Sequence, residues 1–100
     1  MLDYIEILDI GYKIVRFSIS YNNISRGFEL GITGLTYDRL VDSIISNFYT
    51  NGKMQAVINN YLLDPSNEEA IAEFNEMQEF RAYAKEVAKE ALAYIEENNL

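Results

Sequence analysis

No glycine and no proline occurs in "EEAIAEFNEMQEFRAYAKEVAKEALAYIEENNL", the closing stretch at positions 68–100. Nothing in it stops a helix, and the "DPSNEE" before it supplies a start. Ser66 and Glu69 fit a capping box, and Pro65 sits where a helix start tolerates it. The spacing predicts a helix over about 66–97. Roughly 30 residues at about 1.5 Å each give roughly 45–50 Å. A compact globule of this size is only roughly 33 Å across. A straight helix is therefore expected to overhang its own domain.

The apolar stripe of this helix does not fade along its length. Phe74, Met77, Phe80, Ala84, Val87, Ala88, Ala91, Tyr94 and Ile95 keep to one side. Arg81 lies at the stripe's edge, where its stem can cover apolar surface. Two coverings are open: this chain's own strands and helices, or a second molecule, since an exposed stripe of this length is a liability. For the second case the candidate interface is Phe80, Tyr83, Val87, Ala88, Ala91, Tyr94 and Ile95. The heptad through Met77, Ala84 and Ala91 is too short to define a coiled coil.

Upstream, the period changes to two. "YKIVRFSISY" alternates Val15, Phe17, Ile19 and Tyr21 against Arg16, Ser18 and Ser20, and "NISRGFELGIT" keeps Ile24, Phe28, Leu30 and Ile32 in phase. Arg26 shares that phase and is expected at the sheet's end. Asn22-Asn23 tolerates positive φ and marks a hairpin, the alternative being a longer loop through Ser25, Arg26 and Gly27. "DYIEILDI" alternates poorly and is a weaker strand. Strands over about 3–33 precede helices at about 37–49 and 54–63. Thr36 is the expected first cap, and Asn51-Gly52 a left-handed stop between the two helices. The reading is one α+β domain over 1–100: an antiparallel three-stranded β-meander, then three helices, the last long and amphipathic.

Composition narrows the chemistry. There is no histidine and no cysteine, which removes the commonest general base, the thiol nucleophile and most transition-metal ligand sets. Asp38 and Asp42, and the row Glu73, Glu76 and Glu79, read as solvated acids rather than cation sites. "GITG" before a helix lacks the lysine and the glycine spacing of phosphate-binding loops. No catalytic, cofactor-binding or metal-binding residue is assigned.

The net charge of −8 disfavours direct nucleic-acid and anionic-membrane binding and favours basic protein surfaces. From Ser66 onward nine acids face three bases. The opening "MLDYIEILDIGYKIV" has acids inside its apolar run and no basic n-region, so no signal peptide and a cytoplasmic location are expected. Tyr49 and Tyr83 fit the apolar phase least well and are candidate interface rings. In small size, acidity and Asn, Ile and Tyr richness the chain resembles, in a general way, accessory proteins of phages and mobile elements; no motif identifies a family. The expected function is a non-enzymatic interaction protein that associates with itself or docks a protein partner through its C-terminal helix. The alternative is an acidic inhibitor or nucleic-acid mimic that occupies a basic surface on its target.

Overall fold

Ile14, Val15, Phe17 and Ile19 are the buried side chains of strand β2 (Lys13–Tyr21) in the computed structural model, which describes residues 2–98. β2 is the centre of an antiparallel sheet of order β1-β2-β3, with β1 at Leu2–Asp9 and β3 at Ile24–Gly31. The β2–β3 turn is the expected Asn22-Asn23 pair, at φ 52° and 65°. Both positive values match a two-residue turn whose twist suits the strands. Phe17 and Phe28 stack across this ladder with centroids 4.9 Å apart.

The poor alternation of β1 has a structural cause. Its register shifts between Leu2 and Tyr4, so Leu2 pairs with Ile19 while Ile5 and Ile7 pair with Phe17 and Val15. The irregularity brings three oddly spaced apolar residues to one face. The other face is exposed at Tyr4, Arg16 and Glu29. There Arg16 bridges Glu6 at 3.6 Å and Glu29 at 3.1 Å. Such exposed pairs contribute less than about 1 kcal/mol each.

Three helices follow, so the fold is α+β, a three-stranded meander followed by three helices. Helix α1 (Tyr37–Phe48) is capped as expected, with Thr36 Oγ1 accepting from the Arg39 amide at 3.2 Å. The next boundary corrects the sequence reading. Gly52 is not left-handed but helical, inside α2 (Asn51–Leu63). Tyr49 and Thr50 turn the corner in extended conformation, and Thr50 Oγ1 accepts from Lys53 N at 3.1 Å. A side-chain acceptor at Thr50 thus starts a helix where the glycine had read as a stop.

The long helix α3 (Glu68–Asn98) also starts later than expected. Its cap is Asn67, whose Oδ1 accepts from Ala70 N at 3.0 Å. Ser66 is instead held in the preceding turn, donating its amide and hydroxyl to Asp64 Oδ1 at 3.2 and 2.6 Å. An asparagine directly before the helix outcompetes the serine one residue earlier.

The expected overhang is absent because the molecule is built along the helix. α3 has 31 residues, roughly 46 Å at about 1.5 Å each. The molecule measures 52 × 24 × 18 Å. α2 runs beside the first half of α3, where Tyr61 stacks on Phe74 at 4.4 Å. The sheet and α1 cover the second half, joining Val15, Phe17, Ile19, Leu40 and Ile44 to Ala84, Val87, Ala88 and Ala91 in one core. The backbone N–H of Leu2 ties β1 to that half by donating to Glu90 Oε2 at 3.1 Å. No helix among the described residues is long and apolar enough to cross a membrane.

Candidate functional site

Most of the candidate interface lies inside the fold. Phe80, Val87, Ala88 and Ala91 are fully buried and Ile95 nearly so, all within this chain. The stripe expected to meet either this chain or a second molecule packs into the chain's own core. Of the seven residues only Tyr83 and Tyr94 retain partial exposure, and both lie on one flank of α3 rather than on the stripe's crest.

That flank has a pattern of its own. Glu69, Glu76, Tyr83, Glu90 and Glu97 recur every seven residues, two helical turns apart, so they form one row. Glu79 and Glu86 lie beside it. The three bases of the helix, Arg81, Lys85 and Lys89, recur every four residues away from that row, and Lys89 pairs with Glu86 at 3.4 Å. The charge imbalance of α3 is therefore a polarity across the helix, with one side acidic. The heptad spacing was present in the sequence, but only a count of flanks, rather than of total charge, reveals it.

Tertiary structure places tyrosines against the acidic side. Phe80, fully buried, is the hub of a ring cluster. Its centroid lies 5.0 Å from Tyr21, 4.7 Å from Phe48, 5.6 Å from Tyr49 and 6.2 Å from Tyr83. Tyr21 and Tyr83 are themselves 4.8 Å apart. Inclined pairs of this kind contribute about 0.5–1.5 kcal/mol each beyond their area. The rings come from four places: the end of β2, the end of α1, the linker to α2 and the middle of α3. Tyr83 donates its hydroxyl to the Ser20 carbonyl at 3.2 Å, pinning helix to sheet.

The electrostatics confirm the company these rings keep. Tyr21, Tyr49 and Tyr83 all hold their protons above the ordinary tyrosine value, burial being the first cause for each. Carboxylates add to it: Glu79 and Glu76 around Tyr21, Glu76 and Glu73 around Tyr49, Asp3 and Glu90 around Tyr83. A phenolate there would face negative charge in a partly dry setting. The rings stay neutral, and a neutral aromatic face attracts cations.

Two cations of the chain already use those faces. The Arg26 guanidinium carbon lies 5.4 Å from the Phe48 centroid, and Lys53 Nζ lies 5.5 Å from that of Tyr49. Arg26 therefore keeps its core-side phase on the edge strand β3 by resting on a ring. Two adjoining hollows open beside the cluster. One, of about 170 Å³, is bounded by Tyr21, Phe48, Tyr49, Lys53, Glu76 and Phe80. The other, of about 210 Å³, is bounded by Tyr49, Lys53, Val57, Glu73 and Glu76. Asp38 and Asp42 are exposed on α1, away from this cluster. Among the described residues no three acidic side chains converge as a metal site needs.

Searches against protein-family models, curated proteins and solved structures each returned no match to this chain.

Proposed function

We propose that this protein is a non-enzymatic binding module that docks a basic protein partner on the acidic, tyrosine-bearing flank of α3. The observation that carries this reading is the coincidence of the Glu69–Glu76–Tyr83–Glu90 row with the ring cluster at Tyr21, Tyr49 and Tyr83. Carboxylates attract and orient a basic surface, while the half-buried rings offer area at small entropic cost. The burial of Val87, Ala88 and Ala91 within this chain favours a different protein over a second copy as the partner.

The flank fits a protein better than it mimics nucleic acid. Successive members of the row are roughly 10.5 Å apart along the helix. Phosphates on one DNA strand recur about every 3.4 Å along the axis. A row this sparse matches separate Lys and Arg contacts.

The test is calorimetric titration of the full chain with a peptide of mixed lysine and arginine over a salt series. Binding should appear at low ionic strength and weaken with salt. Reversing Glu76 and Glu79 to lysine together should weaken it about tenfold. Reversing Asp38 and Asp42, exposed on α1, to lysine changes net charge equally and should have little effect. Equal losses from both pairs would reduce the attraction to net charge alone and sink the docking flank.

A further inference from the structure

We infer that the two hollows meeting at Lys53 form one groove for an arginine side chain, and that Lys53 is its resident competitor. This rests on the docking flank proposed above and specifies what the flank recognises.

The two hollows share Tyr49, Lys53 and Glu76 as walls. Of these, Lys53 alone has a long flexible stem, and it is exposed. It is the movable divider between them. Its ammonium sits on the Tyr49 ring, and among the described residues it closes no ion pair, although Glu73 and Glu76 bound the same hollow. A cation is thus seated on an aromatic face beside two carboxylates, held by the ring contact alone. An ammonium is compact and strongly hydrated, so it gives up little water to gain that contact.

A guanidinium suits the same place better. It is flat and weakly hydrated, it stacks on a tyrosine face, and its fork of N–H donors can reach carboxylates while stacked. Glu73 and Glu76 are three residues apart on α3, so they present neighbouring carboxylates. Moving the Lys53 stem aside would merge the hollows along the length of an arginine side chain. The occupant is therefore an arginine on an exposed segment of a basic protein, with Lys53 displaced to solvent on binding.

Calorimetric affinities of the full chain for an oligo-arginine peptide and a length-matched oligo-lysine peptide test this. The wild-type protein should prefer arginine. Lys53→Ala should bind the arginine peptide about threefold more tightly, since it removes a competing ring contact. Lys89→Ala, an equal charge change thirteen residues beyond Glu76 on α3, should leave the affinity near the wild-type value. Tyr49→Leu should weaken arginine binding and erase the preference over lysine. A Lys53→Ala protein that binds no tighter than Lys89→Ala overturns the competitor, as does a wild-type protein that binds both peptides equally. If the wild-type protein binds neither peptide, the docking flank itself fails, and the two failures are thereby told apart.

Discussion

Ala88 shows how little room one residue leaves. It is fully buried on α3 and belongs to the core shared with the sheet and α1. A methyl group there lets the helix approach its neighbours closely, and the same holds for Ala84 and Ala91. Ala88→Glu would place a carboxylate where no described partner can pair with it. The expected cost is more than about 3 kcal/mol, read as a lower urea midpoint with loss of helical signal. If the variant keeps its stability while its mass in solution halves, the stripe is an intermolecular seam and the burial assigned to it is wrong. Not every residue was so easily read. Thr36 was a legible cap because a polar acceptor preceded a clean helical period. Asn67 was not, because Ser66 offered the same chemistry one position away and only three-dimensional geometry assigns Ser66 to Asp64.

Elements differ in how firmly the rest of the molecule holds them. α2 is the least anchored: it is barely amphipathic, and Val57 is its one buried residue. Leu62 and Leu63 near its end stay 67% and 84% exposed. Such a helix depends on its own propensity and its cap more than on burial. Gly52, in its first turn, is the weak position. Its φ is not left-handed, and an added Cβ meets nothing within 4 Å. Gly52→Ala is therefore expected to stabilise the protein by about 0.5–1 kcal/mol, measured by denaturant melting. A neutral or destabilising result would mean that the α1–α2 corner needs a conformation alanine cannot adopt. The same element explains the misplaced boundary. Asn51-Gly52 after an apolar run carries the signature of a helix end, and Thr50 before it carries that of a helix start; α2's weak periodicity could not arbitrate between them.

At the scale of the molecule, one helix sets the shape. The radius of gyration is 15.8 Å, above the roughly 13 Å of a compact chain of 100 residues. The excess arises because α2 and the sheet cover successive halves of α3 rather than stacking over one point. Small-angle scattering at dilute and concentrated conditions should return an elongated particle with the mass of one 11.5 kDa chain. A compact profile would mean that α2 folds back over the sheet, and a doubled mass would restore self-association. Elongation also bears on the docking flank. A straight helix keeps Glu69, Glu76, Tyr83 and Glu90 in line, so a partner meets them as one edge.

Periodicity and punctuation in the chain determined the element order, the Asn22-Asn23 turn and the membership of the α3 stripe, because these depend on contacts within a few residues. Coverage is a different matter. Whether Val87 and Ala91 faced a partner or their own sheet depended on how β1, β2 and α1 lay against α3, and no local pattern carries that distance. The ring cluster was equally hidden. Tyr21, the adjacent pair Phe48 and Tyr49, and Phe80 come from three distant parts of the sequence and meet only when the hairpin, the α1–α2 corner and α3 converge. Tyr49 and Tyr83 stood out in the sequence as rings off the apolar phase, but only their tertiary setting, beside Glu73, Glu76 and Glu90, gives that oddity a chemical meaning.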